Sequence, residues 1–318
     1  MIHTKLALPD NPEMEVMHIG PDQLPYICVC EPLEFRIDST ISWHWHTYFE
    51  VAFVAEGSLE CRTPDHSLQL QKGEAVFINS SVLHMYRKTS PGPCIIYAHI
   101  FDSRFLAGSL SSGMYHKYIY PIIKSHAIQL QPIRPSNYHQ NQMLDALNAM
   151  VDLARREPFG YEFQLQHQLS QFWCRLLTLT QSQQTEPTHA DSDISRIKDM
   201  LHFIHGNYSR HTTLEDIAAS AMISQRECSR CFQRCFRESA IEYLNKYRIR
   251  SAANMLLEGT ASIQQISSLC GFSSVSYFGK VFHQMLGCTP KEYRNKASLS
   301  AATPNSTAYV PVSPENSV

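Results

Sequence analysis

Two groups of side chains in this 318-residue chain have types and spacing that can do chemistry. The first is His44, His46 and Glu50, with His84 further along. His44, His46 and Glu50 share parity, so on a single strand they would point to one face. If that face lines an interior, His84 on a facing strand completes three imidazoles and one carboxylate, a set that suits a transition metal. The same four residues, with Arg36 beside them, would also line a small-molecule pocket or act as core polar residues. The second group lies at 225–236. Cys228, Cys231, Phe232 and Cys235 recur on one helical face, which turns Arg226, Ser229, Arg230 and Gln233 outward, with Arg234 at the edge. Arg226 and Arg230 are four apart and so stack on one side of a helix. Either guanidinium can give two hydrogen bonds to a guanine. The three cysteines sit at i, i+3 and i+7, the spacing of a buried helix face, and are read as core.

The elements that position these arginines repeat. Residues 263–294 read as helix, tight turn, second helix and capped exit: Ile263, Ile266 and Leu269 form one apolar face, and Gly271-Phe272 breaks it. Ser273-Ser274 supplies capping hydroxyls, and Gly287 takes the left-handed position after the helix. In the second helix Phe278, Val281, Phe282 and Met285 are the buried stripe, leaving Val275, Ser276, Gly279, Lys280 and His283 outside. Residues 214–243 repeat the pattern. Ile217, Ala221 and Ser224 match Ile266, Cys270 and Ser273 at an offset of 49, and Phe232 and Tyr243 match Phe282 and Tyr293 at 50, so the second turn is one residue longer. An amphipathic helix at 243–257 joins the two units. Two helices around a tight turn, the second with a polar outer face, describe a helix-turn-helix.

Residues 197–294 resemble the double helix-turn-helix domain of the AraC/XylS family of bacterial transcription regulators. The resemblance is carried by Ile217-Ala218, Ser224, Ser229-Arg230, Phe232, Tyr243, Arg248, Ala252-Ala253, Ile263, Ile266, Gly271-Phe272, Phe278, Lys280, Phe282, Gly287, Thr289-Pro290 and Tyr293-Arg294. It implies double-stranded DNA and RNA polymerase as partners, a homodimer, and work as a transcriptional activator under a small-molecule effector. Three departures fall in the first unit: Arg237 stands where the family usually has glycine, Ala240 where it often has proline, and Cys228 where leucine is usual.

From Tyr26 to about Asp102 the chain runs in short apolar stretches with turn signals at Glu56-Gly57, Pro64-Asp65 and Lys72-Gly73, the layout of an all-β sandwich or barrel. His44-Trp45-His46, three residues, Glu50, six residues, Gly57 has the spacing of the first cupin motif, and Gly73 followed by His84 eleven positions later that of the second. Residues 25–105 therefore resemble the cupin-like barrel often fused to AraC-type domains. Asp38 stands at the expected opening glycine, and Asn79 and Ser81 where enzyme cupins have proline and glycine. Trp43 and Trp45 have opposite parity to the histidines and are expected to pack on a covering element.

Composition agrees with a soluble, cytoplasmic two-part protein. Hydrophobic residues are 43% and charged residues 18%, no apolar run reaches membrane-span length, and the N-terminus lacks a signal-peptide layout. The ten cysteines are then reduced thiols. Residues 193–296 hold 14 Lys/Arg against 9 Asp/Glu, whereas residues 1–192 hold 13 against 19. A basic C-terminal module on an acidic body fits a phosphate-binding domain.

The expected fold is multidomain β plus α: an arm at 1–24, a cupin-like effector domain at 25–135, a helix pair at 136–180 for dimerisation, a linker at 181–193, an all-α tandem helix-turn-helix domain at 194–296, and a disordered tail at 297–318. The leading reading is a transcription regulator that is not an enzyme, has no catalytic residue, cofactor or metal, and does not engage a membrane. The alternative is a metal-dependent cupin enzyme or metal sensor fused to a DNA-binding domain, with His44, His46, Glu50 and His84 as ligands.

Overall fold

The computed structural model describes residues 2–4, 24–125, 127–181, 191–258 and 261–301. Most of the expected arm and linker, and the tail from residue 302, lie outside the described residues. The chain divides into two compact units, residues 1–208 with 212–247 and residues 209–211 with 248–318.

The first unit opens with a β-region. Its strands are β1 (Ile2–Thr4), β2 (Tyr26–Pro32), β3 (Thr40–His44), β4 (Phe49–Glu56), β5 (Ser58–Arg62), β6 (Ser67–Gln71), β7 (Ala75–Ile78), β8 (His84–Lys88) and β9 (Ile95–Phe101). Beyond β9 the chain holds α1 (Ser103–Ala107), a π-helical turn (Tyr115–Ile119), α2 (Tyr120–Lys124) and a further strand, β10 (Leu130–Ile133). Six strands form one sheet in the order β1-β2-β9-β4-β7-β10, and four form another in the order β3-β8-β5-β6. The β4–β5 turn depends on Gly57, whose φ is 76° and whose missing Cβ would run into the Pro93 carbonyl.

Alternation along β4 decides the two sides of the larger sheet. Ala52 and Val54 join Leu59, Cys61, Leu70, Val76, Ile78, Tyr86 and Ile96 in an interior cluster drawn from both sheets. Phe49, Val51 and Phe53 face the other way, into a cluster with α3 (Tyr138–Arg156) and α4 (Tyr161–Thr180). Asn137 caps α3 by accepting from the Gln140 N–H, and the reversal at Pro158-Phe159-Gly160 uses left-handed Glu157 and Gly160. Trp173 seats α4, its ring 4.9 Å from that of Phe49. The apolar stripes of both helices are therefore buried against the sheet, and the outward face of α4 (Phe163, Gln164, His167, Gln171, Cys174, Thr178) is mostly polar.

The same unit carries the first helix-turn-helix, on α5 (Asp191–Asn207), α6 (Leu214–Ser220), α7 (Gln225–Phe236) and the start of α8 (Ala240–Glu258). The periodic Ile197, Met200, Leu201 and Ile204 bury one face of α5, a helix the sequence reading did not name. Thr213 and Asp216 form a reciprocal capping box at α6. The second unit comprises the rest of α8 with α9 (Ile263–Leu269), α10 (Val275–Leu286) and α11 (Pro290–Ala301). Ser262 and Gln265 box the start of α9. Inside this unit Arg248 reaches back to the Arg210 carbonyl at 2.8 Å and lies over the Phe272 ring, while Phe282 packs edge-on to Tyr293. The helix α11 continues to Ala301, past the expected domain boundary at 296 and into the expected tail.

Candidate functional site

His44, His46, Glu50 and His84 come together, with one ligand atom from each lying within 4.8 Å of all the others. They do not share a strand as their parity suggested. His44 ends β3, His46 lies in the connection, and Glu50 is the second residue of β4, which belongs to the other sheet. His84 opens β8 and is the register partner of His44. The chain thus crosses from one sheet to the other between His44 and Glu50, and the four side chains meet between the sheets. Arg36 is not part of this group. It pairs with Glu31 at 2.7 Å, both side chains nearly buried.

The backbone fixes how the imidazoles present themselves. The Nδ1 of His44 lies 2.7 Å from Ser42 O, that of His46 3.0 Å from Tyr48 O, and that of His84 2.9 Å from Val82 O. A carbonyl oxygen only accepts, so each Nδ1 carries the proton and each Nε2 of a neutral ring offers a lone pair to the centre. Glu50 turns Oε2 to the His46 Nε2 at 3.0 Å, while Oε1 accepts from the Tyr86 hydroxyl at 2.5 Å. The His84 Nε2 is buried, 3.4 Å from Glu50 Oε2, with no hydrogen-bond partner among the described residues.

Burial alone would raise the Glu50 carboxyl, but His46 and His84 facing it outweigh this and hold it well below the usual carboxylate range. Burial, reinforced by the charge of His84, pushes His44 well below the usual imidazole range. His46 and His84 can hold Glu50 ionised only through a proton on the facing Nε2, so a proton or a bound cation must bridge Glu50 to these rings, while the neutral His44 ring offers a lone pair.

A single transition-metal ion holds such atoms at about 2.0–2.2 Å, hence within about 4.4 Å of one another. The donor set and the pinned Nδ1 groups fit such an ion after a small contraction. Tyr86 was missed by the sequence reading. Its signal was there, in its shared parity with His84 on β8.

The apolar face expected for α7 is buried, whereas in α10 two of the four expected stripe residues, Val281 and Met285, are only half-buried. In α7, Cys228, Cys231, Phe232 and Cys235 are buried, while Arg226, Arg230, Gln233 and Arg234 are exposed and Ser229 is half-buried. The Ser229 hydroxyl donates to Gln225 O within the helix, and Arg230 pairs loosely with Glu227 at 2.8 Å while remaining 69% exposed. In α10, Phe278 and Phe282 are buried, whereas Val275, Ser276, Lys280 and His283 are exposed and Gly279 is half-buried.

Residues 217–296 match the helix-turn-helix domain family, and residues 34–100 match the cupin domain family. An uncharacterized HTH-type transcriptional regulator of Bacillus subtilis, YdeC, is 27% identical over 277 residues, 87% of this chain and 94% of that one. The melibiose operon regulatory protein of Escherichia coli is 26% identical over 82% of this chain and 86% of its own. A putative AraC-like transcription regulator of Streptomyces lividans is 30% identical over 96 residues, 30% of this chain and 32% of its own. The chain belongs to the AraC-type transcription regulators. Among solved structures, fatty-acid-bound ToxT of Vibrio cholerae covers 85% of this chain and 94% of its own at 14% identity and a TM-score of 0.44, a likeness too low to carry an argument about ligands.

In this AraC-type regulator the departures from family pattern keep the backbone that the pattern needs. Asp38, Ser81 and Arg237, each at a family glycine position, all adopt positive φ, at 55°, 62° and 61°. Asn79, in place of proline, donates to Ile122 O and Ile128 O at 2.6 and 2.9 Å, tying the loop before β8 to α2 and to the segment after it. The second turn is one residue longer, as the offsets required. Its helix cap is Ser274, accepting from Tyr277, so the partner of cap Ser224 is Ser274 and Ser273 is the inserted residue.

Proposed function

We propose that this AraC-type regulator binds a small effector between the two sheets at His44, His46, Glu50 and His84. It reads DNA with α7 and α10. The observation that carries the effector reading is the buried convergence of three imidazole Nε2 atoms on the Glu50 carboxylate, a cluster whose close approach a proton or a cationic guest must bridge. On this reading Arg226, Arg230 and Gln233 meet base edges, with Ser229 beside them and Arg234 toward phosphate. Val275, Ser276, Gly279, Lys280 and His283 form the less discriminating surface of α10. Double-stranded DNA and RNA polymerase are its macromolecular partners, it acts as a cytoplasmic homodimer, and it is not an enzyme.

A second reading has one specific observation behind it. The pinned Nδ1 protons, which leave the Nε2 atoms of His44, His46 and His84 converging with Glu50, favour a transition-metal ion as the guest or as what holds it, with His44, His46, Glu50 and His84 as ligands. Such an ion supplies a positive charge and open coordination positions for an anionic effector.

The deciding experiment is the metal content of the purified full-length protein, run beside a gel shift on DNA selected from random sequence, with and without chelator. A metal-free protein that shifts DNA supports the first reading. A stoichiometric metal with a chelator-sensitive shift supports the second. Absence of any sequence-selective shift removes both.

A further inference from the structure

The strand ends that present the histidines also hold part of the DNA-binding region. His44 and His84 are register partners on β3 and β8. Their neighbours of opposite parity, Trp43, Leu83 and Met85, are buried on the other side of this ribbon. There they share one cluster with Ile197, Met200 and Leu201 of α5, and with Phe232, Cys235 and Phe236 of α7. Trp43 is the centre of the contact. Its ring lies 4.9 Å from that of Phe236, the last residue of α7, and the Arg62 guanidinium covers it at 5.9 Å. Trp45, partly buried, packs at the edge of the same cluster. Two residues before Leu83, the Ser81 carbonyl accepts from the Lys198 ammonium of α5. Ser81 also donates its N–H to the His46 carbonyl at 2.8 Å. One short chain of bonds and packed rings thus runs from a histidine of the cluster to α5 and to the end of the first reading helix.

We propose that the β3–β8 ribbon is the transmission element of this regulator: a change of occupancy at the histidine–glutamate cluster is passed through Trp43, Leu83, Met85 and Ser81 to the seating of α5 and α7. This rests on the regulator reading above. The physical basis is the two-sidedness of a strand. Side chains of alternate parity are fixed to one backbone, so drawing His44 and His84 toward a guest displaces or stiffens Trp43, Leu83 and Met85 on the opposite face. Close-packed rings pass such shifts on rather than absorbing them. By reciprocity, release of α7 from Trp43 changes the guest's hold on the cluster by the same factor that the guest changes this contact.

The test is amide hydrogen exchange on the full-length protein as wild type, His44→Gln, Trp43→Ala and the double variant. His44→Gln is expected to change exchange in residues 40–46 and 82–88, and also in α5 and the last turn of α7, by at least roughly 5-fold, the lower end of ordinary coupling. In Trp43→Ala the α5 and α7 amides already exchange faster, and adding His44→Gln changes them no further while the ribbon still responds. A response confined to the ribbon, fully multiplicative effects of the two substitutions, or no response to His44→Gln would each overturn the proposal. Exchange in α3 and α4 reports whether the β-region is intact. Should Trp43→Ala disturb it, Met85→Ala, at the edge of the same contact, carries the same comparison. Failure of the regulator reading would appear separately, as absence of selective DNA binding by wild type whatever the exchange pattern.

Discussion

Arg237 and Gly287 occupy the same place in the two helix-turn-helix units, the residue after the reading helix, with φ of 61° and 68°. Each backbone N–H bonds to the carbonyl four residues back, Gln233 for Arg237 and His283 for Gly287. The turns between helices repeat the contrast: Met222 has φ 55° where its counterpart Gly271 has 75°. A side chain in this left-handed region costs roughly 1–2 kcal/mol that glycine escapes. Arg237→Gly and Met222→Gly are therefore each expected to stabilise the first unit by about 0.5–1 kcal/mol. Gly287→Ala should destabilise the second by about 1 kcal/mol. Urea midpoints of the full chain measure all three, and a loss of stability in both glycine variants would refute the account.

Arg230→Ala is expected to weaken binding to selected DNA and relax base preference at one position by about 1–3 kcal/mol. Lys280→Ala on α10 should instead weaken binding evenly across sequences and reduce the salt slope by about 1. Equal relaxation of base preference by both would show that the two helices do not divide the work this way.

The Tyr86 hydroxyl donates a hydrogen bond to the buried Glu50 carboxylate. Tyr86→Phe leaves that carboxylate oxygen without this donor and should cost about 1.5–3 kcal/mol, the worth of a hydrogen bond to a charged group. Thermal unfolding at neutral pH checks it. An unchanged midpoint would mean that a water or ion replaces the hydroxyl.

Acid should destabilise the first unit before the ordinary carboxylates titrate. Burial pushes His99 down to about 3, and burial with the nearby charge of His202 pushes His205 down to about 3. Both are buried, and each has one ring nitrogen without a hydrogen-bond partner among the described residues. The unfolded chain takes up these protons near pH 6.5 and the folded chain only near 3. Stability is therefore whole above about pH 6.5 and falls as the pH drops, by up to about 1.4 kcal/mol per unit for each histidine. Urea midpoints at about pH 7.5 and about pH 5 should differ in that direction. Equal midpoints, or a rise in acid, would contradict it.

Much of this molecule was legible in its sequence because the signals are local. The faces of α7 and α10 follow from apolar spacing alone, since a helix fixes which residues share a side. Ser224, Ser274 and Gly287 mark their ends because capping needs those side chains or that backbone freedom. The composition of the metal-competent cluster was equally visible in His44, His46, Glu50 and His84.

What the sequence could not supply were the facts that depend on distant segments meeting. Parity put His44, His46 and Glu50 on one strand, whereas the chain crosses between sheets there, a bend that only packing against β8 and β9 imposes. The helix pair at 136–180 was visible, but only tertiary structure shows that Phe49, Val51 and Phe53 bury its apolar faces. Positive φ at Asp38, Ser81 and Arg237 runs against local preference and is held by surrounding contacts. Alternation foretold that Trp43 faces a covering element. That this element is the first helix-turn-helix was decided by the fold, because hydrophobic burial is non-directional and takes its partner from whatever surface the chain brings near.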